Sequence, residues 1–224
     1  MPKITYYIDT FNYFYRLKPD IIKGSVLDYG SNYGMFLDSS KGKFLQQNYT
    51  GLDVDKKALQ IGKIQFPSAQ FIWYNGHNVV YNPYGTDSDY KLSDTYDTII
   101  SYSVLTHTSQ EDFTFKIDWL YNYLKPGGSL LISWLDVDDS FVTNYFYKKR
   151  FDDFGSCDII TADDYIYLVD NRCSKLMPKQ CDFFLSFYKK QYLKTLLKKF
   201  NPVFASAFKD IPTCFQSCII IERT

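Results

Sequence analysis

An apolar run that ends in an acid and opens at once into a glycine turn, Val26 to Phe36 (VLDYGSNYGMF), constrains this chain more than any other stretch. Glycine accepts positive φ and lets a ligand approach the backbone closely, so a strand, such a turn and a following helix together make a cradle for a nucleotide-like cofactor. Asn32 stands where a middle glycine is expected. The run from Ser25 to Tyr29 alternates too little for a half-exposed strand, which predicts a strand buried on both faces of a parallel sheet.

The same unit recurs down the chain. A second strand, Tyr49 to Val54, ends in Asp53, roughly twenty residues past the turn, the spacing at which an acid meets ribose hydroxyls in dinucleotide-type folds. Asp55 then caps a helix carrying Ala58, Ile61 and Ile64 at helical spacing, and Pro67 stops it. A third strand, Gln70 to Tyr74, empties into Asn75, Gly76 and His77, followed by a polar loop from Asn78 to Thr95. The fourth, Asp97 to Tyr102, runs into SVLTHTSQED, where Thr108 and Glu111 have the form of a capping box for a helix faced by Phe113, Ile117, Leu120 and Leu124. LKPGG makes a turn before strand five, Ser129 to Leu135.

The ends are less regular. Asp9 to Leu17 reads as a short helix capped by Asp9 or Thr10 and ended by Pro19. Asp136 to Asp182 breaks the repeat with ten acids against six Lys or Arg, and one strand-like piece, Asp164 to Val169. Ser186 is the expected cap of a helix from Phe187 to Phe200, whose Lys189, Lys190, Lys194, Lys198 and Lys199 form either a solvated face or an RNA contact. Val203 to Phe208 and Phe215 to Glu222 read as an antiparallel strand pair.

Repeated strand and helix units imply an α/β fold with right-handed crossovers, in which ligands sit beyond the carboxyl ends of the strands. Asp28, Asp53, Asn75, His77, His107 and Asp136 all finish or follow a strand, and the two histidines of the chain are both in this set. A length of 224 residues suits one domain over 1–224, with 136–182 as a lid or substrate-recognition insertion. The 25 basic and 25 acidic residues balance, so no global field draws the chain to nucleic acid or to an anionic membrane. An acidic insertion is also a poor surface for a phosphate backbone. Five widely spaced cysteines, odd in number, read as free thiols of a reducing cytoplasm. The N-terminus lacks a signal-peptide core and no apolar run is long enough to span a bilayer, so the expected location is cytoplasmic.

In combination, VLDYGSNYG, YTGLDVD, FIWYNGHN, YDTIISYSVLTH, LKPGGSLLISW and the terminal strand pair resemble the class I S-adenosylmethionine-dependent methyltransferases of the small-molecule type. The resemblance covers Ser25 to Leu135 closely and Phe187 to Thr224 loosely. It implies a Rossmann-like, doubly wound, mostly parallel seven-stranded sheet with an antiparallel last strand, and S-adenosylmethionine as cofactor. It sets Asp28, Gly30, Ser31, Asn32 and Gly34 against the methionine end and Asp53 on the ribose, with Val54 beside it. Asn75 and Gly76 fall in the adenine slot, where many relatives carry an acid, and Ser101 or Ser103 near the methionine. His107 is the first choice for a general base and His77 the second, because imidazole titrates near neutrality. No metal is expected: Asp136, Asp138 and Asp139 have no companion acid after strand four.

The leading expectation is therefore O-methylation of a small polar metabolite, such as a sugar or glycan precursor, with N-methylation behind it. Three other readings compete. A methyltransferase of tRNA or protein is motivated by the lysine helix, and a nicotinamide-dependent oxidoreductase shares the turn and the distal acid. A non-catalytic subunit that keeps the fold is motivated by Asn32 and by the altered adenine slot.

Overall fold

Burial on both faces decides how the strands assemble. In the computed structural model, which describes residues 9–78, 82, 84–86, 90–139, 157–170, 185–206, 208 and 216–224, every residue of β1 (Val26–Tyr29) and β2 (Tyr49–Asp53) is buried. Such strands need partners on both edges and helices on both faces. β3 (Gln70–Trp73), β4 (Tyr96–Ser101) and β5 (Leu124–Asp136) supply the partners, all parallel, in the order β3-β2-β1-β4-β5. Beyond the insertion strands β6 (Cys157–Thr161) and β7 (Tyr165–Asp170) come β8 (Leu185–Tyr188), β9 (Val203–Ala205) and β10 (Ser217–Glu222). β10 pairs antiparallel with both β5 and β9, so that these seven strands have the expected antiparallel last strand, and β8, β7 and β6 extend the sheet from the end of β5 to ten strands.

Helices cover both faces. On one, Phe113, Ile117 and Leu120 of α4 (Gln110–Tyr121) pack on Leu27, Ile99 and Ile132. On the other, Phe11 and Phe14 of α1 (Thr10–Leu17), Phe36 of α2 (Met35–Ser40) and Leu59 of α3 (Lys56–Gln65) pack on Val26, Ile100 and Leu131. Each of these large side chains, taken fully from water, contributes roughly 1.5–3 kcal/mol before entropy. Caps fix the helix starts: Asp9 accepts from the Asn12 amide at 3.1 Å, and Asp55 from those of Lys57 and Ala58. Among the described residues no helix is long and apolar enough to cross a membrane.

Three local expectations are corrected. α4 is capped by Ser109, whose Oγ accepts from the Asp112 amide at 3.1 Å; the Thr108 hydroxyl instead donates to the Leu105 carbonyl at 2.8 Å and closes the 3₁₀ turn Leu105–His107. Leu124 opens β5 instead of ending the helix face. Ser186 caps no helix, because Leu185–Tyr188 is the buried strand β8, held between the end of β5 and β7. The helix, α5 (Lys190–Leu196), begins only after it. Strand pairing on both edges there outweighs the helical spacing of Leu193, Leu196 and Leu197.

Among its described residues the insertion carries two strands, where one was expected. β6 and β7 form an antiparallel ladder, and β8 joins it to Leu135 and Asp136 at the carboxyl end of β5. The expected hairpin of β9 and β10 forms, with 209–215 outside the described residues.

At the amino end of the central strand β4, Asp97 Oδ2 accepts from the Ser25 amide (2.8 Å), the Ser25 hydroxyl (2.7 Å) and Lys125 Nζ (2.8 Å). Partial burial alone would raise this carboxyl, but these donors outweigh it and bring its pKa down to about 2. A depressed acid stabilises the fold above its ordinary value of 3.8, and that contribution fades as pH falls through about 2. Asp97→Asn is therefore expected to lower the melting temperature at pH 7 and to lose most of this penalty by pH 2, read by thermal unfolding across that range.

Candidate active site

The turn after β1 has a backbone that few residues tolerate. Gly30 (φ 79°), Asn32 (φ 53°) and Gly34 (φ 92°) are all left-handed. The Gly30 amide donates to the Leu52 carbonyl at 2.8 Å, and a Cβ on Gly30 would lie 2.1 Å from Val104 Cγ2. Val104, in the segment after β4, thus presses on the turn itself. Gly51 makes a second close approach, since a Cβ there would lie 2.7 Å from Ser31 Oγ.

Asn32 is explained by this backbone. Asparagine is among the few side chains that enter the left-handed region readily, and its Oδ1 accepts from the Tyr33 amide at 2.8 Å. Its own amide donates to Asp53 Oδ2 at 2.6 Å, while Asp53 Oδ1 accepts from the Asp55 amide at 2.8 Å. Asp53 thereby joins the first turn to the end of β2. It is 8% exposed, and burial, opposed by these amides, raises its pKa.

Asp28 is the second acid at the turn and 6% exposed. The Tyr49 hydroxyl donates to its Oδ2 at 2.6 Å, and Tyr49 stacks on Phe36. Burial pushes Asp28 up to about 7, the Tyr49 bond working against it and the nearby Asp53 charge adding to it. Two buried carboxyls beside open backbone favour a ligand that brings positive charge and hydroxyl donors. A pyrophosphate would meet repulsion there.

The corner after β3 is a closed knot. Asn75 Oδ1 and the Gly76 carbonyl both accept from Asn82 Nδ2, at 3.1 and 2.9 Å, and the Asn75 carbonyl accepts from the Thr86 amide at 2.7 Å. Gly76 is buried, and His77 Nε2 is a buried atom with no hydrogen-bond partner among the described residues. Trp73 donates Nε1 to the Val54 carbonyl at 3.0 Å, and Lys56 Nζ lies 3.8 Å from its ring centre.

After β4 the two predicted serines separate. Ser101 is fully buried, with its hydroxyl unpartnered among the described residues, whereas Ser103 (φ 58°) is half-buried at the sheet's carboxyl edge. His107 is exposed at the end of the 3₁₀ turn, and the next carbonyl, of Thr108, accepts from the Ser186 hydroxyl of β8. At the end of β5, burial raises Asp136, whose Oδ1 accepts from the Asp138 amide at 3.0 Å. Among the described residues no group of three or more His, Cys, Asp or Glu is placed to hold a metal ion.

The structure thus ties Asp28, Gly30, Ser31, Asn32, Gly34, Asp53 and Val54 into one neighbourhood through the β1 and β2 ends. Asn75, Gly76 and His77 lie past the neighbouring strand, and His107 follows β4. Sequence reasoning missed Tyr49, Val104, Ser133 and Gln216. Val104 and Tyr49 read as ordinary core residues, and only the fold brings Ser133 and Gln216 to Ser103.

Comparisons with known proteins agree with this geometry. A family model described as a methyltransferase domain matches residues 6–202. No curated protein matches the sequence. Among solved structures the chain is similar to an S-adenosylmethionine-dependent methyltransferase from Clostridium acetobutylicum ATCC 824, at 12% identity and TM-score 0.57, covering 99% of this chain and 93% of that one. It is similar to CalS10, an amino pentose methyltransferase from Micromonospora echinaspora, at 12% identity and TM-score 0.56, covering 96% and 89%. It is also similar to the magnesium protoporphyrin IX methyltransferase of Synechocystis PCC 6803, at 13% identity and TM-score 0.56, covering 96% and 81%. At such identities the likeness is one of fold.

Two outcomes follow from the turn. Asn32→Gly is expected to change stability little, whereas Asn32→Val, β-branched in a left-handed position, costs ~1–2 kcal/mol in denaturant unfolding. A raised acid stabilises fully below its ordinary 3.8 and loses that contribution as pH rises through about 7. Asp28→Asn should therefore gain melting temperature relative to the parent as pH climbs from 4 to 8, at about 2–4 °C per kcal/mol for a chain of this size.

Proposed function

The chain belongs to the methyltransferase-domain family, and from that premise we infer that this S-adenosylmethionine-dependent enzyme methylates an oxygen of a small polar metabolite, such as a sugar or glycan precursor. The observation that carries the reading is the pair of buried acids, Asp28 and Asp53, at a glycine turn with no room for added side chains. The cofactor's amino-acid end brings an ammonium and its ribose brings hydroxyl donors, which suits that pair. When bound, it supplies an electrophilic methyl group, displaced in line by the acceptor atom.

On this reading the chain's own residues hold and orient. Asp28 and the turn of Gly30, Ser31, Asn32 and Gly34 take the methionine end, and Asp53 takes the ribose hydroxyls while fixing the Asn32 amide. Val54, Asn75 and Gly76 border the adenine, and Ser101 lies under the methionine side. The Asn75 and Gly76 oxygens each keep a lone pair beyond the Asn82 bond, so either has room for an amino donor. Orientation of acceptor and methyl is the larger effect, up to ~7–11 kcal/mol in well-aligned systems. His107, exposed at the end of the 3₁₀ turn after β4, removes the acceptor's proton, and His77 is the second candidate.

The insertion 136–182 serves as the acceptor's wall or lid. Support comes from its strand β7, which pairs with β8; β8 in turn pairs at the end of β5 and bonds the carbonyl next to His107. The CalS10 likeness is compatible with a sugar acceptor but carries the fold alone. Two features behind the competing readings weaken. Lys199 pairs with Asp118 at 2.5 Å and Lys190 lies 5.8 Å from the Phe204 ring centre, so part of the lysine helix is engaged within the fold. Asn32 suits its left-handed backbone, so it gives no reason to read the turn as degenerate.

Calorimetric titration of the full chain with S-adenosylhomocysteine, followed by methyl transfer to a panel of hydroxy- and amino-sugars, tests the proposal. Binding is expected, weakened at least tenfold in Asp53→Ala with an unchanged circular dichroism spectrum. Transfer to hydroxyls should fall ~10²–10⁴-fold in His107→Ala. Absent binding would remove the cofactor reading, and transfer to amines or tRNA in place of hydroxyls would replace the acceptor.

A further inference from the structure

Ser103 stands in the left-handed region at φ 58°, two residues beyond the end of β4. Cβ crowding disfavours that conformation for serine, and such residues persist where their surroundings over-determine them. Here a closed ring of hydrogen bonds does so. The Ser103 amide donates to Ser133 Oγ at 2.7 Å, the Ser133 hydroxyl donates to Gln216 Oε1 at 2.6 Å, and Gln216 Nε2 donates to Ser103 Oγ at 2.9 Å.

The ring has one direction. A backbone N–H can only donate, so Ser133 Oγ accepts and turns its own proton to the glutamine oxygen, which leaves the amide nitrogen facing Ser103. Ser133 is fully buried and Gln216 is 2% exposed, so breaking the ring would strand polar groups away from water. Gln216 is itself held, since its carbonyl accepts from the Tyr13 hydroxyl of α1 at 2.8 Å.

The left-handed residue sets where the chain goes next. Val104 follows, pressing on Gly30, and its carbonyl accepts from the His107 amide at 3.1 Å. Were residue 103 to relax to an ordinary negative φ, Val104 would leave the glycine turn and His107 would move with it.

We propose that Gln216 is a positioning residue for the cofactor cradle: by holding Ser103 left-handed through Ser133, it keeps Val104 seated on Gly30. The assignment rests on the reading of that turn as the methyl donor's cradle. It links the residue just before β10 to the turn after β1, two strands that do not pair with each other.

The test is calorimetric titration of S-adenosylhomocysteine into the parent chain, Gln216→Ala, Ser133→Ala, and each of these combined with Ser103→Gly. Each single ring variant is expected to bind on the order of tenfold more weakly, the scale of one residue's left-handed preference. Adding Ser103→Gly should restore affinity to within about twofold, because glycine takes positive φ without support. A merely structural ring would lower the melting temperature, and glycine would not recover affinity. Parent-like binding by both single variants, or no recovery in the doubles, overturns the assignment; Ser133→Ala carries the test if Gln216→Ala fails to fold. If the parent itself does not bind, the methyl-donor reading fails and the assignment falls with it, a result distinct from binding that the ring variants leave untouched.

Discussion

The bond from the Asn32 amide to the Asp53 carboxylate is the interaction on which the rest of the site depends. It ties the left-handed turn after β1 to the end of β2, and the second Asp53 oxygen ties the start of the next segment at Asp55. Two turns from neighbouring parallel strands thereby share one buried carboxylate. Gly30, pressed by Val104, adds the end of β4 to the same unit. The sheet supplies the strand ends, and these few contacts turn them into a cradle.

That cradle has a definite electrostatic character. Asp28 and Asp53 are both buried, and it is chiefly burial, with the Asp53 charge adding to it against the Tyr49 bond, that pushes Asp28 up to about 7. Tyr49, stacked on Phe36, holds Asp28 by its hydroxyl and fixes its orientation. An arriving cation relieves the repulsion, whereas an arriving phosphate increases it. This is the physical ground for preferring a methyl donor with an ammonium over a dinucleotide, although both classes share a glycine turn and a distal acid.

Much of the architecture was legible because local patterns and burial agree. The lack of polar alternation from Ser25 to Tyr29 and the spacing of Asp53 mark the parallel sheet and its ligand edge. Misreadings fell where tertiary pairing overrode a local pattern. Ser186 has the look of a helix cap, but β5 and β7 claim Leu185–Tyr188 as a strand. Thr108 with Glu111 and Ser109 with Asp112 are competing caps, and the hydroxyl of Thr108 is consumed by the 3₁₀ turn. Asn32 departs from the expected glycine, and its left-handed backbone, φ 53°, accounts for it. The ring through Ser103, Ser133 and Gln216 spans 113 residues of chain and leaves no signal in spacing or periodicity.

The central claim is that a partly protonated Asp28, beside the buried Asp53, reads the charged end of the methyl donor. The most direct measurement is calorimetry of S-adenosylhomocysteine binding at pH 7 in buffers of different ionisation enthalpy, which counts protons exchanged. The account predicts net proton release on binding, as the ligand's ammonium drives Asp28 to its charged form, and loss of that release in Asp28→Asn. Binding with no proton exchange in the parent chain, or equal release in the variant, would contradict it.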